Sequence, residues 1–126
     1  MTSRCLITKE IDDKVAASHS PVCKFLSRII PFYRSFYRSI GFRNGYPLHD
    51  SSALIYLIKP DLFGTISGPT RVVTEGIAMG QTIMDWVGRR KQMTNPWSDI
   101  ASSSACVGVD VKKLLDFYSE AFLQKV

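Results

Sequence analysis

The stretch SPVCKFLSRIIPFYRSFYRSIG, residues 20–41, predicts one long amphipathic helix and sets the frame for the rest of the chain. Ser20 followed by Pro21 is a strong helix start, because the hydroxyl can cap the first turn and proline suits the first helical position. Pro31 predicts a kink or a division into two helices, and Gly41 ends the pattern. Apolar residues recur at steps of three and four and so share one helical face: Val22, Phe25, Leu26, Ile29, Ile30, Tyr33, Phe36, Tyr37 and Ile40.

Shorter elements are predicted on both sides of this helix. Residues 1–8 are typical of a short strand or connector, and Thr8 is a candidate cap for a helix from Lys9 to Ala17. Residues 51–58 predict a short, buried helix capped by Asp50 or Ser51.

The second half of the chain favours strands. Residues 63–69 are typical of a loop, whereas residues 71–75 are β-branched and residues 81–86 alternate, which predicts a strand pair. Residues 105–109 predict a third strand, and Asp110 is a candidate cap for a final helix.

Composition and charge are those of an ordinary globular protein. The chain has 126 residues, of which 45% are hydrophobic and 21% charged, and its net charge is +5. The basic residues are spread out, and the clusters Arg89-Arg90-Lys91 and Lys112-Lys113 are too short for a nucleic-acid-binding stripe, so we predict no nucleic-acid partner. The polar, basic segment 88–99 is predicted to be a mobile connector.

Cysteine usage and hydropathy bear on the compartment. An odd number of cysteines, Cys5, Cys23 and Cys106, with no CxxC spacing favours reduced thiols and a cytoplasmic protein. No apolar run approaches the roughly 20 residues that cross a bilayer. A basic helix over residues 21–43 lying on anionic membrane is the alternative, but Pro31 interrupts it, so we predict no membrane partner.

His49-Asp50, before the predicted short helix, has two interpretations. In the first, Asp50 caps the helix and His49 is a packing or surface residue. In the second, a carboxylate at a helix N-terminus is held ionised and suits a hard cation, and the adjacent imidazole donates a proton to a leaving group. Tyr33 and Tyr37 lie on one helical face and precede His49 by a turn, so they are either core aromatics or part of the same pocket.

The order of these segments resembles the inosine-uridine preferring nucleoside hydrolases. The resemblance rests on residues 32–37, on Pro47-Leu48-His49-Asp50 and on residues 53–63. It continues through Val73 to Gly76, Gly80 to Trp86 and Val107 to Asp110, and residues 95–99 look closest to plant members. We therefore expect an α/β fold made of helices plus about three strands, the C-terminal portion of that family's fold and not a complete sheet, with residues 1–126 forming one part of the domain.

The resemblance implies hydrolysis of the ribosyl C1′–N bond of purine or pyrimidine nucleosides, with Ca²⁺ as cofactor. It implies that His49 is the acid that protonates the leaving base and Asp50 is a calcium ligand. It also implies that Tyr33 and Tyr37 line the nucleobase pocket. The chain departs from the family at Ser51, where proline is usual, and it contains no DxDxxxDD segment, which in the family supplies the other calcium ligands and the general base.

Two expectations follow from the lack of a DxDxxxDD segment. Because a lone carboxylate is a poor calcium site, the chain by itself is predicted to be inactive, as a truncated hydrolase with its Asp-rich half absent. The alternative is a non-catalytic paralogue that binds a full-length homologue. In both cases the apolar helix face at residues 21–40 lacks a covering sheet, so we expect homo-oligomers or association with such a homologue.

Overall fold

The computed structural model describes residues 1–88 and 94–123, and it excludes the side chains of residues 122 and 123. Short 3-10 turns cover Thr2–Arg4 and Pro60–Leu62. The chain divides into two compact units, one formed by residues 1–63 with the chain from 108 onward and the other by residues 64–107. In chain order the helices and strands are β1 (Leu6–Ile7), α1 (Lys9–Ala17), α2 (Pro21–Ser39), β2 (Tyr46–Pro47), α3 (Asp50–Ile58), β3 (Phe63–Val72), β4 (Thr82–Met84), β5 (Ser102–Val109) and α4 (Val111–Leu123).

Helix α2 begins as its sequence predicts. The Ser20 hydroxyl accepts a hydrogen bond of 3.3 Å from the Cys23 amide, and Pro21 is the first helical residue. Of the kink or division predicted at Pro31, the division does not occur, since the helix continues through this residue to Ser39. Proline removes one backbone hydrogen bond, and the packing of α2 along α1 holds the flanking turns in place.

A two-stranded sheet brings the start of the chain to the segment before α3. Strands β1 and β2 are antiparallel, with Leu6 opposite Pro47 and Ile7 opposite Tyr46. Gly45 permits this pairing: its φ is +150°, and a Cβ at this position would lie 2.4 Å from the Ile7 carbonyl oxygen.

The core of the first unit collects residues from almost every element around that sheet. Leu114 of α4 is fully buried, and Ile55 is the inward-facing residue of α3. The buried cluster consists of Cys5, Ile7, Tyr37, Tyr46, Leu48, Ile55, Leu114 and Tyr118. The positions of α2, β2 and α3 relative to one another are therefore set by a shared apolar core.

The apolar faces of α2 and α3 remain largely open. Phe32 is 80% exposed and Leu57 is 76% exposed, although both are large hydrophobic residues. Large apolar side chains at adjacent surface positions are unusual in a monomer. Among the described residues, no helix has both the length and the apolar character needed to cross a bilayer.

The second unit contains a three-stranded sheet in the order β4-β3-β5. β3 and β4 are antiparallel, with Arg71 opposite Ile83. The predicted loop at residues 63–69 is wrong, since β3 starts at Phe63. Its glycines and proline obscured the strand, and pairing on both sides overrides their weak local preference. Part of the connector predicted at 88–99, with the cluster Arg89-Arg90-Lys91, lies outside the described residues.

Candidate functional site

The turn between α2 and β2 brings two distant predicted site residues into contact. Gly41, with φ +105°, follows the end of α2, and the chain reverses towards β2. As a result the rings of Tyr37 and His49 have centroids 6.1 Å apart, and those of Tyr33 and Tyr37 are 5.0 Å apart. Helix α2 and the start of α3 thus form one local site.

A cavity of about 280 Å³ lies at this site, within the first unit. Tyr33, His49 and Asp50 line it, together with Tyr46 and Tyr118, which the sequence did not single out. Tyr37 is not among the lining residues; it is 9% exposed and packs between Tyr33, Phe36, Phe42 and His49. Tyr37 therefore supports the cavity wall from behind.

His49 occupies the N-cap position of α3 and is exposed. Its Nδ1 lies 2.7 Å from the Thr2 hydroxyl, a contact that restrains the orientation of the imidazole ring. Since Nδ1 takes part in this hydrogen bond, proton transfer to a ligand would use Nε2.

Asp50 is the first residue of α3, and the capping role predicted for Asp50 or Ser51 is wrong. The N-cap position belongs to His49, and no side-chain capping bond forms there. Ser52, one turn along, donates to the Leu48 carbonyl, so its hydroxyl satisfies a backbone acceptor and does not cap the N-terminal amides. Asp50 remains exposed in the first turn, where the helix dipole favours a negative charge.

The donor set around Asp50 is too small for Ca²⁺. Among residues 1–88 and 94–123 no group of three or more His, Cys, Asp or Glu side chains is placed to hold a metal. Calcium takes six to eight oxygen ligands. The described residues supply one exposed carboxylate at this site and do not form a calcium site by themselves.

Tyr46 is the functional candidate that sequence reasoning missed. Its ring stands edge-on to Tyr33, with centroids 5.5 Å apart, and its hydroxyl donates to Asp12 over 2.8 Å. Arg34 also donates to Asp12, which is buried, so α1, α2 and β2 are joined by one polar network. Spacing along the chain offers no signal for this network, because its members come from three separate elements.

The tyrosines of the cavity stay protonated over the physiological range. Hydrogen bonding with Tyr37 and partial burial raise the pKa of Tyr33 to about 12. Burial also raises the pKa of Tyr46 and that of Tyr118. These residues therefore present neutral aromatic rings and hydroxyl groups, which suit a planar, uncharged ligand.

The family model described as inosine-uridine preferring nucleoside hydrolase matches residues 1–116. The chain belongs to this family. Among curated relatives, this nucleoside hydrolase chain is 35% identical over 102 residues to "Uridine nucleosidase 1" of Arabidopsis thaliana, covering 81% of this chain and 30% of the relative.

Solved structures show the same fold. A plant nucleoside hydrolase superposes with a TM-score of 0.89 at 21% identity, over 98% of this chain and 39% of that chain. A purine-preferring ribonucleoside hydrolase from Gardnerella vaginalis gives 0.78 at 25% identity, over 97% of this chain and 37% of that chain. The chain therefore has the α/β architecture of a portion of the nucleoside hydrolase fold, and it spans about a third of the length of these relatives.

Proposed function

We propose that this chain forms the C-terminal, base-side part of a nucleoside hydrolase active site. The reaction is hydrolysis of the ribosyl C1′–N bond of a purine or pyrimidine nucleoside to ribose and free base, a step of nucleoside salvage. The observation that carries the proposal is the cavity shared by Tyr33, Tyr46, His49 and Asp50. Family membership supports the class of reaction.

In this proposal His49 is the general acid. When the C1′–N bond breaks, the oxygen of a water molecule becomes bonded to C1′, and that water would lose a proton to a general base supplied by further polypeptide of the same family. The electron pair of the broken bond goes to the base nitrogen. Transfer of a proton from Nε2 of His49 to the departing base neutralises that charge, and general acids of this kind contribute about 10²- to 10⁴-fold. The hydrogen bond between Thr2 and Nδ1 supports the assignment of Nε2.

Tyr33 and Tyr37 are proposed to act on the base side of the site, with Tyr46 as an addition. Tyr33 and Tyr46 line the cavity and offer aromatic surface to the base, while Tyr37 holds Tyr33 and His49 in place from behind. Aromatic pairs of this geometry contribute about 0.5–1.5 kcal/mol beyond their buried area.

Asp50 is proposed as one calcium ligand among several. A bound Ca²⁺ would hold the ribose hydroxyls and a water molecule, but the described residues provide only this one carboxylate for it. The remaining ligands would have to come from further polypeptide of the same family.

Complementation tests the proposal. The chain is mixed with Ca²⁺, uridine or inosine, and the fragment of the Arabidopsis relative that this chain does not match, and release of free base is followed. We expect base release only in the complemented sample. With His49→Ala the rate of release should fall by about 10²-fold or more. His19→Ala, an exposed histidine in the loop before α2, is the matched control and keeps activity. Complemented activity that is unaffected by both His49→Ala and Asp50→Ala would refute the site assignment.

A second candidate function is non-catalytic association with a full-length homologue or with a second copy of the chain. The exposed apolar residues of α2 and α3, among them Phe25, Phe32 and Leu57, favour it. Size-exclusion chromatography with light scattering tests it, with and without the full-length Arabidopsis relative. We expect a complex that Phe32→Glu weakens and Lys24→Glu, on an exposed position of the same helix, does not. A stable monomer that forms no complex with the homologue would exclude this candidate function.

We also propose a cytoplasmic location. Cys5, Cys23 and Cys106 form no disulfide in the described part of the chain, and the first two are buried, which fits a reducing compartment. Cell fractionation with an antibody to the chain tests it, and recovery with a secreted or organellar marker would contradict it.

A further inference from the structure

The unit formed by residues 64–107 contains a cavity of its own, with a volume of about 560 Å³. Ligand pockets in proteins typically have about 300–1,000 Å³. Trp86 and Trp97, the two tryptophans of the chain, both line it. None of the lining residues that the structure describes belongs to the cavity of His49.

The wall that carries Trp97 is held in place by hydrogen bonds. The Arg71 guanidinium donates to the Pro96 carbonyl through Nη2 at 2.6 Å and through Nε at 3.0 Å. The Trp97 amide donates to Oδ1 of Asn95, and the Asn95 amide donates to the Ser98 hydroxyl, both over 2.9 Å. This segment is therefore preorganised, which lowers the entropy cost of binding a ligand against it.

A second part of the lining is a close contact between β3 and the residues that follow β4. The Asp85 amide donates to the Pro69 carbonyl over 3.0 Å, and a Cβ at Gly68 would lie 2.6 Å from the Asp85 carbonyl oxygen. Glycine is therefore required at position 68 for the two backbones to approach, and that approach sets Asp85 beside Trp86 at the cavity.

The chemistry of the lining restricts the class of ligand. Trp86 is 61% exposed, so a large part of its indole is available to a flat ring. Asp85 is an acceptor only, and the hydroxyls of Ser67 and Ser102 add polar contacts. Asp85 is the charged side chain among the described lining residues, and its carboxylate would repel a phosphate group.

We propose that this cavity binds a nucleobase that carries an exocyclic amino group, as in cytidine, with the ring stacked on Trp86 or Trp97 and the amino group donating to Asp85. Base–indole stacking contributes about 1–3 kcal/mol, and a carboxylate pairs with the cytosine amino group but repels the carbonyl that uracil carries in its place. The site is additional to the proposed hydrolase site and does not depend on it.

Intrinsic fluorescence excited at 295 nm tests the proposal on the full chain, because both tryptophans line the cavity. Cytidine should quench it saturably, with uridine about tenfold weaker and cytidine 5′-monophosphate no tighter than cytidine. Asp85→Asn should remove the preference for cytidine over uridine. Trp97→Ala should weaken cytidine binding about tenfold or more, with Trp86 as the remaining reporter.

Two variants serve as controls. Asp61→Asn changes an exposed carboxylate in the other unit, and His49→Ala changes the proposed hydrolase site, so both should keep cytidine binding and its preference. Loss of quenching in His49→Ala would show that the ligand occupies the hydrolase cavity and would overturn the proposal. Three other results would also overturn the proposal: binding of ribose alone, binding of uridine as tight as that of cytidine, or the absence of saturable quenching at millimolar cytidine.

Discussion

The hydroxyl of Thr2 and Nδ1 of His49 are 2.7 Å apart although 47 residues separate them in the chain. The β1–β2 pairing makes this contact, because it places the start of the chain beside the segment that leads into α3. A hydroxyl can donate to a neutral imidazole or accept from a charged one, so the same bond can restrain the ring in both states.

Thr2 should therefore position His49. In the complemented hydrolase, Thr2→Val removes the hydroxyl but keeps the shape, and we expect kcat to fall about tenfold, the equivalent of one net hydrogen bond, with little change in KM. Thr2→Ser restores the hydroxyl and should restore kcat. Equal kcat for Thr2→Val and the unchanged chain would contradict this role.

Asp12 should contribute strongly to stability. It is buried and accepts hydrogen bonds from Tyr46 and Arg34, so Asp12→Ala leaves both donors without their acceptor. We expect a loss of about 3 kcal/mol in the free energy of unfolding, measured by urea titration of helix circular dichroism. Asp13→Ala is the matched control, since Asp13 is exposed and pairs with Lys9 at the surface; its cost should be below about 0.5 kcal/mol. Similar losses for the two variants would count against the network.

Gly45→Ala should disrupt the β1–β2 pairing. The φ of +150° disfavours a side chain, and the added Cβ would meet the Ile7 carbonyl at 2.4 Å, so we expect a loss of about 3 kcal/mol in thermal unfolding experiments. Gly41 also has a positive φ, but a Cβ added there would meet no atom within 4 Å, so Gly41→Ala should cost only about 1 kcal/mol. If both substitutions cost the same, the contact with Ile7 is not the cause.

Tyr33 should ionise only in strongly alkaline solution. Its pKa is raised to about 12 by hydrogen bonding with Tyr37 and by burial, whereas an unfolded tyrosine ionises near 10. The folded state therefore binds this proton more tightly, and the resulting stabilisation is complete below pH 10 and lost as the pH rises towards 12. Absorbance titration at 295 nm, compared between the unchanged chain and Tyr33→Phe, measures this pKa; Tyr37→Phe should lower it. A value near 10 would contradict the hydrogen bond with Tyr37.

Local signals predicted several elements well. The Ser20-Pro21 start of α2 and the bond from the Lys113 amide to Asp110 at the start of α4 are short-range capping interactions, and both are present. The loop predicted at residues 63–69 failed because strand pairing is a long-range effect that its glycines and proline conceal.

By itself the sequence determined the long amphipathic helix, the final helix and the resemblance to nucleoside hydrolases, which the family match confirms. These predictions depend on periodicity, on neighbouring residues and on the order of segments, all of which can be read from the sequence alone. Only the tertiary structure decided that Tyr46 and Thr2 reach the site of His49, that Tyr37 lies behind the cavity, and that Asp12 is buried. Those facts arise from contacts between residues far apart in sequence, which the shared core brings together and which no local pattern encodes.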